Sequence, residues 1–187
     1  MNKLRLEGFL FLAGFIVCIP LANWMIGHVG MVCPPNGPCL VPVAPGIMAP
    51  SGVLMIGLAL ILRDLVQRRL GRLWSLGAII GGAVISGLVA PPALVIASVV
   101  AFFFSEIADF LVYTPLQERR FVTAVIASSV AGSVVDSILF LWLAFGSLEF
   151  LLGQILGKTW MVLAAVPFIY WLRARDSRTM AALQQNR

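Results

Sequence analysis

The sequence predicts an all-α polytopic membrane protein, a bundle of six transmembrane helices, and three observations carry that prediction. First, hydrophobic residues make up 60% of the 187-residue chain, charged residues only 11%, and the mean hydropathy is +1.00. Soluble domains hold about 45–50% apolar and roughly 25% charged residues. This composition excludes a soluble enzyme, a disordered chain and a secreted disulfide scaffold. Second, the chain divides into six apolar stretches, each close to the ~20 residues a helix needs to cross the hydrocarbon core. Third, the basic residues outside those stretches all fall on one side once the chain is threaded back and forth.

The first span covers residues 6–27 and follows Lys3 and Arg5. Its apolar run exceeds a signal-peptide core and no small-x-small cleavage site follows, so it is read as a retained helix. Residues 28–50 form the one long loop, rich in Pro and Gly and without Lys, Arg, Asp or Glu. They hold Cys33 and Cys39, which on an oxidising outer face are a candidate disulfide. No metal is expected, because two Cys and the distant His28 do not make a four-ligand set. The apolar end, residues 41–48, either folds back as a lid or rests on the bilayer surface.

Residues 51–70 form the second span, with Arg63 and Asp64 near its end. The third (73–90) and fourth (93–116) are divided by Pro91 and Pro92, which remove donors and clash with the preceding turn. The fifth covers 121–145 and the sixth 148–172, leaving a tail at 173–187. Gly77, Ala78 and Gly81 in the third span, and Ala127, Ala131 and Gly132 in the fifth, suit close helix packing. Trp24, Trp74, Trp142 and Trp171 lie near span ends, where indoles anchor at the interface.

Lys3 and Arg5, then Arg68, Arg69 and Arg72, then Arg119 and Arg120, then Arg173, Arg175, Arg178 and Arg187 share one side. The opposite loops have no Lys or Arg. The positive-inside rule therefore places both termini in the cytoplasm of a bacterial-type inner membrane. The same bias accounts for the net charge of +5 and pI of about 9.7, so no nucleic-acid partner is expected.

Ionisable groups within spans are costly, and here they are Arg63, Asp64, Glu106, Asp109, Asp136 and Lys158. Two positive and four negative charges leave −2. Phe102, Glu106, Asp109 and Tyr113 follow i, i+4, i+7, i+11 along the fourth span; Ser129, Ser133, Asp136 and Phe140 do the same along the fifth. Gln154, Lys158 and Met161 form a third stripe. Such stripes face one another or water rather than lipid. By helical rise Lys158 lies near the midplane, between Glu106 and Asp136 in depth, and either carboxylate is a partner for it. Asn23 is a further polar candidate, its plainer role an interhelical hydrogen bond. The plainer reading of the charges is a fixed ion pair at Lys158, with Arg63, Asp64 and Asp109 snorkelling to the inner interface. The surplus negative charge and the convergence of three stripes favour a ligand pocket.

Particular residues carry a resemblance. The stretch Ser105-Glu106-Ile107-Ala108-Asp109-Phe110, the Arg119-Arg120 loop and Val135-Asp136-Ser137-Ile138-Leu139-Phe140 resemble the queuosine precursor transporter family, also called the vitamin uptake transporter family. Leu62-Arg63-Asp64-Leu65 with Gly71, together with Asn23 and Lys158, is similar to that family's pattern in its second, first and last helices. The resemblance implies uptake of 7-cyano- and 7-aminomethyl-7-deazaguanine. It also implies a bundle similar to the substrate-binding subunits of energy-coupling-factor transporters. The stripes and the resemblance together give a candidate binding set of Asn23, Glu106, Asp109, Tyr113, Ser133, Asp136, Phe140, Gln154 and Lys158, with Arg63 and Asp64 as candidates for coupling or gating. A carboxylate of Glu106 or Asp136 suits a guanine-like edge, since its two oxygens accept an N–H and an exocyclic amine side by side. The partners expected are a 7-deazapurine or related small molecule and the lipid bilayer, with no cofactor; a homo-oligomer is left open.

The alternative function is a substrate-binding subunit for another vitamin or nucleobase, working with a separate ATPase module. For docking such a module the first span offers only Gly14 and Cys18. Enzymatic activity is not expected: Asp109 and Asp136 lie in opposite halves of the bilayer, about 15 Å apart in depth, too far to share a proton.

Overall fold

The computed structural model describes residues 3–185 apart from Asn36, with side chains as far as Arg178; Arg187 lies outside the described residues. The chain folds into six long helices: α1 (Lys3–His28), α2 (Val53–Leu70), α3 (Arg72–Val89), α4 (Val95–Leu116), α5 (Phe121–Phe145) and α6 (Leu151–Gln185). A hairpin of β1 (Leu40–Ala44) and β2 (Ile47–Pro50) joins α1 to α2. Among the described residues five helices, all but α2, are long and apolar enough to cross a membrane. The protein is an all-α, multi-pass membrane protein whose large apolar side chains face outward along α1, α3 and α6.

Short connectors set the packing. Gly71 joins α2 to α3 in a conformation with φ of 95°, which suits a residue without a Cβ. Pro91 and Pro92 end α3 and open a single 3₁₀ turn, Pro92–Leu94, before α4. Gly146, at φ 62°, closes α5 with a left-handed cap. The tail expected beyond residue 172 instead continues the helix of α6 to Gln185.

α2 is the exception in composition and the centre in packing. Arg63, Asp64, Arg68 and Arg69 make it too charged to count as a span alone, yet Leu60 to Gln67 are mostly buried. It packs against α1, α3, α4, α5 and α6. Gly57 lets α2 approach α6: a Cβ there would stand 3.0 Å from the Lys158 Cα. Gly132 does the same between α4 and α5, where a Cβ would meet Asp109 Cβ at 3.1 Å and the Ser105 carbonyl at 3.2 Å. The expectation for α3 is corrected. Gly77 and Gly81 face open space, and close packing falls instead on Gly82, against Phe102 and Ile19.

Within the long loop, residues 40–50 form a hairpin that packs against α6. Pro45 and Gly46 make its turn, Gly46 at φ 72°. Pairing runs from Leu40 opposite Pro50 to Ala44 opposite Ile47, with an irregularity that leaves Val43 out of register. The freed Val43 carbonyl accepts a hydrogen bond from Trp160 Nε1 of α6 at 2.9 Å. Gly153 and Gly157 on α6 give the hairpin room, beside Met48 and Val43 respectively. Cys33 and Cys39 are joined by a disulfide, and Cys39 is buried. The Cys39 N–H donates to the Ile26 carbonyl and the Ser51 hydroxyl to the Met25 carbonyl, fastening the hairpin base to α1.

Candidate functional site

The six ionisable residues of the spans gather into two buried ionic centres. Arg63, Asp64, Asp109 and Lys158 are 0% exposed, Glu106 2% and Asp136 7%. None of them snorkels.

The first centre is built on Lys158. One turn apart on α6, Gln154 and Lys158 point the same way; α5 supplies Asp136 and Ser137. Lys158 Nζ lies 2.5 Å from Asp136 Oδ2 and donates to Ser137 Oγ at 2.7 Å and Gln154 Oε1 at 3.1 Å. The Ser133 carbonyl stands 3.5 Å from the same nitrogen. Of the two carboxylates expected for Lys158, Asp136 is the partner. Three strong acceptors around one ammonium, in a place without bulk water, offset the cost of burying it.

A cavity of about 40 Å³ adjoins this centre. All six helices line it: Asn23 from α1, Val53 and Ile56 from α2, Ser86 from α3, Ser98 and Phe102 from α4, Asp136 and Phe140 from α5, Gln154 and Lys158 from α6. Pro50 and Gly52 at the base of the hairpin line its rim. Two aromatic rings beside a carboxylate, an ammonium and two amides make a surface suited to a flat, polar-edged ring. Asn23 Nδ2 donates to the Ile19 carbonyl of its own helix at 3.0 Å, rather than to a neighbouring helix.

The second centre surrounds Arg63, deeper toward the end of the bundle that holds the termini. Its Nε donates to Glu106 Oε2 at 3.0 Å, its Nη2 to Asp109 Oδ1, and its Nη1 lies 3.0 Å from Asp64 Oδ1. Gln67 Oε1 is 3.4 Å from Nη1, and Gln67 donates in turn to Thr114 Oγ1 at 3.0 Å. Ser128 of α5 donates to Asp64 Oδ2 at 2.8 Å. The rings of Phe110 and Tyr113 stand 6.0 and 5.8 Å from the Arg63 Cζ.

The nine residues expected to bind substrate therefore divide. Asn23, Asp136, Phe140, Gln154 and Lys158 line one cavity, and Ser133 meets Lys158 through its carbonyl. Glu106, Asp109 and Tyr113 stand instead with Arg63 and Asp64. The charge surplus divides as well. Lys158 and Asp136 cancel, so the whole −2 belongs to the Arg63 centre and none of it to the cavity. Ser86 and Ser98 were missed as lining residues. The stripe of α4 gives Ser98 when extended one turn back from Phe102, and Ser86 lies one turn beyond Gly82 on the buried face of α3. Ser128 and Gln67 gave no separate signal: Ser128 meets Asp64 on another helix, and Gln67 joins Arg63 of its own helix to the Thr114 hydroxyl.

Residues 83–172 match a family model described as "Putative vitamin uptake transporter". The match runs from α3 to α6, so it includes Asp136 and Lys158 but neither Asn23 nor Arg63. Neither a curated protein nor a solved structure matches the chain. Over the matched residues, just under half of its length, the protein is similar to that transporter family.

Proposed function

We propose that the protein imports queuosine precursors, 7-cyano- and 7-aminomethyl-7-deazaguanine, across a bacterial inner membrane, binding them in the cavity beside Lys158. The observation that carries this reading is the meeting of Asp136, Gln154, Lys158 and Asn23 with Phe102 and Phe140 around one cavity. Asp136 is the carboxylate that reads the base, accepting the ring N–H and the exocyclic amine with its two oxygens. Gln154, Asn23 or the released Lys158 donates to the base carbonyl. Phe102 and Phe140 stack on the ring, where each such contact contributes about 1–3 kcal/mol.

Ile26, Pro50 and Gly52 line the part of this cavity nearest the hairpin end. In this reading that end faces outward, both termini lie in the cytoplasm, and α2 is a sixth span whose charges are matched within the bundle. Substrate takes Asp136 from Lys158; when it leaves, the pair re-forms and no charge is left alone.

The alternative subunit working with an ATPase module needs a small-residue face on α1 to dock its partner. Gly14 packs toward Leu62 of α2 and Cys18 is buried beside Phe15 and Phe102, so neither offers such a face. Expression of the chain in a cell that neither makes nor imports 7-deazaguanines tests the proposal. Restored queuosine in its tRNA on feeding 7-cyano-7-deazaguanine is expected. No restoration despite correct membrane insertion overturns it.

A further inference from the structure

The Arg63 centre carries an imbalance that the cavity does not. One guanidinium meets three carboxyl groups, Asp64, Glu106 and Asp109, all within 3.0 Å of its nitrogens. Fully ionised, the group would hold −2 in a place with no exposed side chain. Nothing that packs around it supplies the missing positive charge. From α5 come the Ser128 hydroxyl and, beyond Glu106, Asp136, whose own charge is matched by Lys158 of α6. Arg68 and Arg69 of α2 bind Asp176, and Arg69 also meets Glu7 of α1. Of the remaining ionisable groups of α1, Lys3 and Arg5 are exposed in its first turn, Cys18 lies among the core residues and His28 at the hairpin end, and Arg72 of α3 is exposed at its first residue.

A second observation points the same way. Asp109 Oδ2 accepts no hydrogen bond and the Tyr113 hydroxyl near Arg63 has no partner among the described residues, although both are buried. A buried carboxylate oxygen without a donor is destabilised as long as the group is ionised. A carboxyl group that takes up a proton loses its charge and gains an O–H that can turn toward such an acceptor. Metal ions are a poorer match. The guanidinium occupies the centre of the three carboxyls, and among the described residues no group of His, Cys, Asp and Glu converges to hold a metal ion.

We propose that the Arg63 centre is a proton-binding site: two of its three carboxyls carry protons while the bundle is closed as described, and substrate import is coupled to their exchange. The coupling half of this inference rests on the transporter reading above; the proton-binding half does not. The route between the sites is short. Phe102, at the cavity, and Glu106, on Arg63, are one turn apart on α4. Gly132 of α5 presses on Asp109, one turn from Asp136. Taking Asp136 from Lys158 leaves its charge no longer cancelled next to Glu106, which changes the proton affinity of the Arg63 centre. Each proton moves between a carboxylate and water admitted from one side, so charge balances without any other reactant.

Two measurements test it on the full chain in liposomes. Infrared spectroscopy at neutral pH reads the carbonyl stretch of un-ionised carboxylic acids directly. That band is expected in the wild type and weakened in Asp64→Asn and Asp109→Asn. Its absence from the folded wild type overturns the proton site whatever becomes of the variants, and so does a band unaffected by both inner substitutions. Labelled 7-cyano-7-deazaguanine added outside, with and without an inward proton gradient, tests coupling. At least a tenfold greater accumulation with the gradient is expected, and equal accumulation overturns coupling. No uptake in either condition overturns the import reading and with it the coupling, while the infrared band still decides the proton site.

Discussion

Lys158 and Arg63 are both cations buried within a helix bundle, but their surroundings give them different tasks. Lys158 has one carboxylate and neutral acceptors, so its pair can open and close without stranding other charges. Lys158→Ala is expected to leave the chain inserted and abolish uptake, because substrate release then leaves Asp136 unpaired; uptake at the wild-type rate would show that the pair is only structural. Arg63 is shared among three carboxyls and two helices. Arg63→Met is expected to cost about 3–5 kcal/mol, the range for breaking a buried ion pair. Thermal unfolding in detergent measures it, and Asp109→Asn in the same chain should recover part of the loss. The helical spacing of residues 102–113, 129–140 and 154–161 marked Glu106, Asp109, Asp136 and Lys158, while Arg63 and Asp64 stood out as charges within an apolar stretch. It did not reveal that they form two centres. Spacing gives the face a residue occupies on its own helix, and which face meets which depends on how far Gly57 and Gly132 let the backbones close.

At the scale of the element, the hairpin is the part the sequence disguised. Its Pro and Gly content marked residues 28–50 as a loop, yet Pro45-Gly46 is a turn signal flanked by short apolar runs. The hairpin descends beside α6 as far as Trp160, nine residues or about 13 Å past the start of that helix. Non-helical backbone at such depth persists only against protein. Gly153 and Gly157 supply that surface, and the Trp160 indole satisfies one freed carbonyl. Trp160→Phe is expected to cost about 0.5–1 kcal/mol, in line with single polar contacts inside membrane proteins. Limited proteolysis should then cut the hairpin sooner, while the helices stay intact; an unchanged cutting rate would mean the hydrogen bond does not hold the hairpin down. The helices themselves were legible to within a few residues, because Gly71, Pro91, Pro92 and Gly146 punctuate the chain chemically. Only the extension of α6 past residue 172 was lost, since a polar helix end has no apolar period to announce it.

Across the whole molecule, the scarce charges fall into three layers. At the termini end Glu7 and Asp176 tie Arg69, Arg68 and Arg175 together across α1, α2 and α6. The Arg63 centre lies further in, and the Lys158 centre with its cavity lies beyond it. One consequence concerns how the chain is made. α2 is too charged to rest in lipid alone, and its partners arrive late: Glu106 and Asp109 follow Arg63 by 43 and 46 residues, and Ser128 follows Asp64 by 64. At about 5–20 residues per second, a ribosome leaves α2 waiting roughly 2–10 s for Glu106 and Asp109. Chains halted before α4 are therefore expected to keep α2 accessible to water-soluble thiol reagents at a cysteine placed at Leu60, and full-length chains to protect it. The helix at the centre of the finished bundle thus enters ahead of the groups that match its charges, and it is settled only by helices made after it.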